Sequence, residues 1–373
     1  MSRLFPHQNN RYSVEITTTQ ACNFRCSYCF ESGMLSPKDN LMYKRTDEVL
    51  SQLDILFSDP WFDKTFDNKN ISFWGGEPSL NIDMIEKIVD HFLDDQDVTF
   101  FIYTNGSRID KLLPVLLKCK DVSCIGDVKF NVQVSYDGKP IQDSRRLLPS
   151  SKGSSDIVLR GMKLLSDNGI EFGLKPTITY QDFKHLPEVW DEFNQFHMKY
   201  GSYMHLTPDY HNVTFLNYKE DIEKILVQIA RKELKFYQQH KKFLSNILTG
   251  DHKFCGCGKG MASFDTNGNM YYCHGCFYSE NIKPCATIFD KDLPQTIKRN
   301  FEFFNNNSVA NDDCAKCVAL TCLKCNVKKF DESVKEKFLD KWHDYTSQPE
   351  LCEYFKLAGR IGRALLNIIE EEK

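Results

Sequence analysis

The chain has 373 residues, with 47 Lys and Arg against 51 Asp and Glu, and it contains 15 cysteines. Its 41% of hydrophobic and 13% of aromatic residues exclude wholesale disorder, and its net charge of −4 gives no whole-chain attraction to nucleic acid. No stretch approaches the ~18 apolar residues of a membrane span, and the N-terminus lacks the apolar segment of a signal peptide. We therefore expect a cytoplasmic protein that binds neither nucleic acid nor membrane, with cysteines that ligate metal.

Residues 1–250 alternate strand-like and helix-like patterns, which is typical of βα units on a parallel sheet. Six such units predict an α/β fold, a partial (β/α)6 barrel resembling an incomplete TIM barrel, with its chemistry at the C-terminal ends of the strands. Apolar spacing predicts helices at 47–57, 81–93, 157–165, 186–196 and 218–248. The predicted strands are 13–18, 71–74, 99–103, 130–135, 172–179 and 203–206.

A second domain is predicted at residues 251–373, because the composition and the apolar periodicity of the sequence change after Gly250. Gly, Asn and Cys replace the helical periodicity, and ten of the cysteines fall in this part of the chain. Residues 264–272 are typical of a β-hairpin with a glycine turn. Residues 353–369 predict a closing helix. The chain is therefore expected to have a cysteine-poor body and a cysteine-rich C-terminal module.

Three cysteines lie together directly after the first predicted strand. Cys22, Cys26 and Cys29 are separated by three and then two residues, so that their thiolates can converge on one centre. A tetrahedral zinc site would need a fourth ligand, which no nearby Cys or His supplies at familiar spacing. A [4Fe–4S] cluster held by three cysteines would keep one iron open for an exogenous ligand. Three buried or incidental thiols are a further alternative.

These cysteines, with Tyr28 before the third, resemble the signature of radical S-adenosylmethionine (SAM) enzymes. Later motifs agree with that resemblance in order and in position, since each follows a predicted strand. They are Gly75-Gly76-Glu77-Pro78, Thr104-Asn105-Gly106, Ser135-Tyr136-Asp137-Gly138 and the Arg145-Arg146 pair. Each motif alone could be ordinary turn chemistry, but the ordered set is specific.

The resemblance implies that SAM chelates the open iron and that one electron from the reduced cluster cleaves SAM to a 5′-deoxyadenosyl radical. In relatives the glycine-rich motif holds the amino group of SAM, and a Ser and an Arg contact its ribose and carboxylate. By position, that Arg is Arg146, with Arg145 as a competitor. The implied cofactor-binding residues are Tyr28, Gly75, Gly76, Glu77, Asn105, Ser135, Asp137 and Arg146.

The later cysteines resemble a SPASM domain, which houses two auxiliary [4Fe–4S] clusters, so that three clusters are expected. The run from Cys314 to Cys325 is one residue shorter in each of its last two gaps than the family pattern. Zinc in one of these sites is an alternative, as is Cys276 replacing one ligand of the nearer cluster. By analogy with anaerobic sulfatase-maturating enzymes, the nearer cluster uses Cys255, Cys257, Cys273 and Cys325, and the outer uses Cys314, Cys317, Cys322 and Cys352.

The same resemblance implies hydrogen abstraction from a peptide or protein, giving a crosslink, an oxidation or an epimerisation. The alternatives are a small-molecule dehydrogenase or mutase and a non-catalytic zinc-binding protein. An external electron donor of flavodoxin or ferredoxin type is expected. Only 21 residues precede Cys22, so leader-peptide recognition is expected from a separate protein or from the body's own surface. His205, Asp209 and Tyr210 are candidate catalytic residues after the last predicted strand, with an ordinary solvated loop as the alternative.

Overall fold

The computed structural model describes residues 10–29, 40–125, 128–200, 207–208, 215–249, 256–278, 283–306, 317–318 and 349–371. The strands are β1 (Arg11–Thr19), β2 (Arg25–Cys26), β3 (Asn68–Gly75), β4 (Val98–Thr104), β5 (Phe130–Val134), β6 (Arg146–Leu147), β7 (Phe172–Leu174), β8 (Thr177–Ile178), β9 (Thr207–Pro208), β10 (Met261–Phe264), β11 (Asn269–Tyr271) and β12 (Ala286–Thr287). The α-helices are α1 (Leu41–Lys44), α2 (Thr46–Phe57), α3 (Pro60–Thr65), α4 (Ile82–His91), α5 (Ile109–Cys119), α6 (Lys139–Arg145), α7 (Ser155–Asp167), α8 (Leu186–Tyr200), α9 (Lys219–His240), α10 (Leu293–Asn306) and α11 (Pro349–Glu371).

The main sheet has eight strands in the order β12-β11-β10-β1-β3-β4-β5-β7. Its six adjacent strands from β10 to β7 are all parallel, whereas β11 and β12 pair antiparallel. This α/β arrangement confirms the predicted fold class. A separate parallel pair is formed by β8 and β9.

Four of the six predicted body strands coincide with β1, β3, β4 and β5. The predicted strand 172–179 is instead divided into β7 of the main sheet and β8 of a separate pair. The sixth, at 203–206, lies outside the described residues, although β9 directly follows it. The sixth parallel strand of the described sheet is β10, which the sequence suggested only as part of a hairpin. Because β10 pairs with β1, the sheet continues across the predicted boundary after residue 250, and that boundary stays a prediction.

Helix α9 ends earlier than the predicted 218–248 helix. Lys241 adopts a left-handed backbone with φ of 54°, and the chain then folds back onto the helix. The buried Glu233 carboxylate accepts N–H donors from Leu244 and Ser245, each at 2.9 Å. This carboxylate therefore holds the reversed segment, which is why apolar spacing beyond residue 240 does not continue the helix.

The two faces of the main sheet differ in chemistry because successive strand residues point to opposite sides. On β1, Val14 and Ile16 are fully buried in the hydrophobic core, which also contains residues of α2 and α4. Ser13 and Glu15 point the other way and bond to polar partners on neighbouring strands. We call this second side the interior face. Among the described residues, no helix is long and apolar enough to cross a membrane.

Candidate active site

The loop after β1 carries the first predicted cluster ligands, Cys22, Cys26 and Cys29, all of them half-buried. Cys26 lies in β2, opposite Arg146 of β6. The Phe24 N–H points to the Cys22 sulfur at 3.4 Å, and the Cys29 N–H donates to the Cys26 carbonyl at 3.1 Å. Burial raises the pKa of Cys22 to about 12, and the neighbouring groups Glu77, Cys26 and Cys29 add smaller contributions in the same direction.

Two glycines at the end of β3 allow the segment before Cys22 to pack closely against it. The Gly76 N–H donates to the Thr19 carbonyl at 3.0 Å, and the Glu77 N–H donates to the Ala21 carbonyl at 2.9 Å. A Cβ on Gly76 would meet the Ala21 oxygen at 2.5 Å, and one on Gly75, whose φ is 136°, would meet the Thr19 oxygen at 2.2 Å. Only glycine permits this close backbone approach, which positions the segment leading into Cys22.

The Glu77 side chain is fully buried and is saturated with hydrogen bonds. Its carboxylate accepts from the Ser79 N–H and hydroxyl at 3.1 and 2.6 Å, from the Thr104 hydroxyl at 2.7 Å and from the Asn105 N–H at 2.6 Å. Burial still raises its pKa above the usual value. The carboxylate thus ties the ends of β3 and β4 together, and the half-exposed backbone of Gly75 and Gly76 is the part of this motif that faces solvent.

Asn105 connects the end of β4 to the cysteine loop. Its side-chain amide donates to Asn23 at 2.8 Å, and its carbonyl oxygen accepts from the Ser107 hydroxyl at 2.6 Å. Asn23 in turn donates to the Ser107 hydroxyl at 2.8 Å. Asn23 and Ser107 were not among the predicted site residues. The position of Asn23, between two of the three cysteines, was the signal available in the sequence.

Tyr28, Asp137 and Arg146, predicted separately, form one buried group. The Arg146 guanidinium donates twice to the Asp137 carboxylate, at 2.9 and 3.1 Å, and the Tyr28 hydroxyl donates to the same carboxylate. Arg146 also lies 5.3 Å from the centroid of the Tyr28 ring. Arg145, the competitor, instead pairs with Asp182 at 3.0 and 3.2 Å. The side chain of Arg146, not that of Arg145, therefore reaches Tyr28 of the cysteine loop, whereas Arg145 contacts the loop only through its carbonyl, which accepts from the Ser27 N–H at 2.8 Å.

Ser135 lies one residue past β5 and is half-buried, and its N–H donates to the Thr104 carbonyl at 2.8 Å. Its hydroxyl makes no hydrogen bond with the described part of the chain. His205, Asp209 and Tyr210, the predicted catalytic residues, lie outside the described residues.

A polar and aromatic row crosses the interior face between this loop and the C-terminal module. We define it by Lys175, Tyr103, Trp74, His274 and Glu15 and call it the interior row. The Lys175 amine lies 5.9 Å from the centroid of the Tyr103 ring. The Tyr103 and Trp74 rings are 4.7 Å apart, those of Trp74 and His274 are 4.2 Å apart, and His274 Nδ1 bonds Glu15 at 2.9 Å.

The His274–Glu15 pair joins the segment after β11 to strand β1. Burial alone would lower the pKa of His274, but the Glu15 carboxylate overcomes this and raises it to about 9. Burial likewise acts to raise the pKa of Glu15, and His274 holds it below its usual value. The Ser263 hydroxyl of β10 also donates to Glu15. His274 is therefore an ion-paired partner beside Cys273.

A second cysteine group lies at the far end of the interior row. The sulfurs of Cys257, Cys273 and Cys276 are buried and lie within 4.8 Å of one another, with 3.7 Å between those of Cys273 and Cys276. The Cys276 N–H donates to the Cys273 carbonyl at 2.9 Å. Cys276, which the sequence offered only as a replacement ligand, is thus placed beside two predicted ligands.

The other predicted ligands are only partly placed. Cys317 is half-buried, and Cys352 lies in α11 without a described side chain. Cys119, which is not a predicted ligand, is buried in the core. Four predicted ligands fall outside the described residues: Cys255, Cys314, Cys322 and Cys325.

The donor set at the first site suits an iron–sulfur cluster with an open iron. Three cysteines on one loop leave a coordination position free, and thiolates are the ligands that such clusters use. A buried thiol with a raised pKa ionises when a metal supplies the compensating charge. The residues present therefore fit a cluster of this kind.

Comparison with known proteins agrees with this geometry. Residues 16–189 match the Radical SAM superfamily. The chain is 23% identical over 333 residues to a cysteine-type anaerobic sulfatase-maturating enzyme of Clostridium novyi, covering 82% of each protein. It is 21% identical over 383 residues to the radical SAM cyclopropyl synthase TigE of Paramaledivibacter caminithermalis, covering 97% of this chain and 74% of that protein.

A solved structure has the same fold. It is that of anSMEcpe with bound AdoMet and the Cp18Cys peptide, with a TM-score of 0.68 at 19% identity over 97% of this chain and 99% of the other. This chain therefore carries a radical SAM domain at residues 16–189, on a fold shared with anSMEcpe.

Proposed function

We propose that this chain is a radical SAM enzyme that abstracts a hydrogen from a peptide or protein substrate and so modifies it after translation. The observation that carries the proposal is the convergence of three strand ends on the cysteine loop. The Gly76 backbone fixes the residues before Cys22, Asn105 holds Asn23, and Arg146 lies opposite Cys26 in the β2–β6 pair. A loop tied at three points suits a cofactor that must be held in one orientation.

At this loop Cys22, Cys26 and Cys29 would hold a [4Fe–4S] cluster. When bound, cluster and SAM supply a 5′-deoxyadenosyl radical, which is the chemistry that the proposed reaction needs. The backbone of Gly75 and Gly76 would face the amino group of SAM. Ser135, whose hydroxyl has no partner in the described part, is a hydrogen-bonding group for the ribose.

Arg146 has a positioning role in this proposal. Because Asp137 and Tyr28 already surround its guanidinium, it fixes β2 against β6 and places positive charge beside Cys26. A cation near a thiolate favours the ionised form that ligates iron.

For the C-terminal module we propose two auxiliary [4Fe–4S] clusters, which makes three in all. Cys257, Cys273 and Cys276 would supply three ligands of the nearer one, with a fourth from Cys255 or Cys325. The outer cluster would use Cys314, Cys317, Cys322 and Cys352. The short sulfur separations of the first three also suit a single zinc ion, whose Zn–S bonds are ~2.3 Å, so metal content decides between the two.

The proposal of a peptide or protein substrate is supported by similarity to other proteins. The fold is shared with anSMEcpe, which was solved with a bound peptide. One relative is named as a sulfatase-maturating enzyme and another as a cyclopropyl synthase. An external flavodoxin- or ferredoxin-type donor would supply the electron, and a separate protein could present the leader of a peptide. A small-molecule substrate remains the alternative.

The test uses the full chain reconstituted anaerobically with iron and sulfide. About 12 iron per chain are expected from three four-iron clusters, together with conversion of SAM to 5′-deoxyadenosine when dithionite is added. Cys26→Ala should abolish this conversion, whereas Cys124→Ala, which changes a thiol outside both groups, should retain it. Wild-type protein that is fully loaded with iron and yet does not cleave SAM would overturn the proposal.

Mass spectrometry of peptides encoded beside the gene, co-expressed with the enzyme, tests the substrate. A loss of two hydrogens would indicate an oxidative crosslink, and deuterium uptake without a mass change in normal water would indicate epimerisation. Modification of a small molecule in place of any peptide would favour the alternative.

A further inference from the structure

Asp137 links the start of strand β8 to the cysteine loop. The Thr177 N–H of β8 donates to one oxygen of the Asp137 carboxylate at 2.7 Å, and the Tyr28 hydroxyl of the loop donates to the other. The Arg146 guanidinium donates to both oxygens. Each oxygen of this fully buried carboxylate thus accepts two donors, which fills the roughly four acceptor sites that a carboxylate has. We call the path from Tyr28 through Asp137 to Thr177 the first bridge.

A second bridge links the other end of β8 to the same loop. The Ser27 N–H donates to the Arg145 carbonyl at 2.8 Å, and the Arg145 side chain pairs with Asp182 at 3.0 and 3.2 Å. Thr179, one residue past β8, donates its hydroxyl to the Asp182 carboxylate at 2.7 Å. We call the path from Ser27 through Arg145 and Asp182 to Thr179 the second bridge. The two bridges therefore hold β8 at both of its ends.

Both bridges begin between two predicted cluster ligands. Ser27 and Tyr28 are the two residues that separate Cys26 from Cys29. The thiols of these cysteines are free and half-buried, so no covalent bond joins them. A metal centre bound by both thiols would fix the residues between them, because binding of a metal orders the segment that carries its ligands. Occupation of the loop therefore acts directly on the starting points of both bridges.

The far side of β8 leads toward the predicted catalytic residues. β8 pairs only with β9 in a two-stranded sheet that is separate from the main sheet, with Thr177 opposite Thr207. So short a pair has little stability of its own. Ile178 packs in the hydrophobic core, so the bridges determine the exact position of the strand rather than its existence. Asp209 and Tyr210 follow directly after β9 along the chain.

We propose that the two bridges position the β8–β9 pair according to the occupancy of the cysteine loop, so that this pair is fixed when Cys26 and Cys29 bind metal. Asp137 and Arg145 are then positioning residues and not contacts of the cofactor. By linkage, a substrate that contacts β8 or β9 binds more tightly to the loaded protein than to the empty one. This inference rests on the proposed function, whose site it deepens.

The test compares amide hydrogen exchange in the full chain before and after anaerobic reconstitution with iron and sulfide, without reductant or SAM. Mass spectrometry with electron-transfer fragmentation resolves single amides, and the Thr177 amide reports directly on its bond to Asp137. Loading should slow exchange of the Thr177 and Ile178 amides by about tenfold, because hydrogen bonds to charged groups must break before these amides exchange. Cys26→Ala, which retains the cysteines of the C-terminal module, should show no such slowing.

Two variants interrupt the bridges at different points. Arg145→Gln breaks the second bridge outside the cysteine loop, and Tyr28→Phe removes the hydroxyl of the first. Each should lose part of the slowing at unchanged iron content, and the double variant should lose most of it. Tyr136→Phe is the matched control and should keep the slowing of wild type. Its hydroxyl also donates to a carboxylate, that of Glu192 at 2.8 Å, but belongs to neither bridge.

Loaded wild-type protein without slowed exchange would overturn the inference, and so would a double variant that is slowed as much as wild type. If Tyr28→Phe binds no iron, Arg145→Gln alone decides, because its substitution lies outside the loop. The exchange measurement needs no turnover. Loaded protein that fails to cleave SAM would therefore overturn the proposed function separately from this inference.

Discussion

The two faces of the main sheet differ in the side chains that they carry, although the same strands form both. Alternate residues such as Phe73 and Ile102 are fully buried in the hydrophobic core, whereas their neighbours Trp74 and Tyr103 belong to the interior row. The core face gains stability from apolar burial, and the interior face holds charges whose favourable partners are polar groups or ligands. Substitutions on the two faces should therefore change the free energy of unfolding in opposite directions.

The largest expected effect on stability is on the core face. Phe73 is fully buried, and its ring lies 5.8 Å from that of Phe130 and 6.2 Å from that of Phe100. Phe73→Ala should lower the free energy of unfolding by about 3–5 kcal/mol because it leaves a cavity. Urea unfolding measures this change, and SAM binding by the folded fraction should stay near wild type. A loss below ~1 kcal/mol would contradict this account of the core.

A somewhat smaller loss is expected at the Asp137–Arg146 pair, beside the cysteine loop. Asp137→Asn leaves a buried guanidinium without its counter-charge, so the free energy of unfolding should fall by about 3 kcal/mol. Arg145→Gln is the matched control, since the more exposed Arg145–Asp182 pair should contribute less than ~1 kcal/mol. Equal losses in the two variants would show that burial of the first pair has no special effect.

On the interior face, removal of a charge should stabilise the protein. Because the pKa of Lys175 falls from its model-peptide value to about 8 on folding, its charge disfavours the folded state below pH 8. Lys175→Met should therefore raise the free energy of unfolding at pH 7 by about 1 kcal/mol, after allowance for solvent in the interior space. The gain should shrink as pH rises from 8 toward 10.5, where the unfolded lysine also loses its proton. A destabilised variant would indicate a purely structural lysine.

Much of the body was predictable because its strands are short apolar runs at regular spacing. Four strands and the helices α2, α4, α7, α8 and α11 appear where apolar spacing predicts them. Helix α5 was not predicted, since Pro114 interrupts its pattern. The role of β10 could not be predicted, because pairing between strands so distant along the chain leaves no local signal.

The sequence predicted which motifs form the site, but not the contacts between their side chains. Motif order identified Tyr28, Asp137 and Arg146, but not that one carboxylate would join them. The alternation of residues along β7 also indicates which face of the sheet Lys175 lies on. Phe172 and Leu174 face the core, so Lys175 has to face the interior with Gly173.

The pairing of β1 with β10 also shapes how the protein is made. The Ser263–Glu15 bond joins residues 248 positions apart, so the second edge of β1 stays open until the C-terminal module has been synthesised. Contacts this distant form slowly, and an unpaired edge invites association with other chains. During translation the cysteine loop is therefore complete long before the strand that leads into it is covered on both sides.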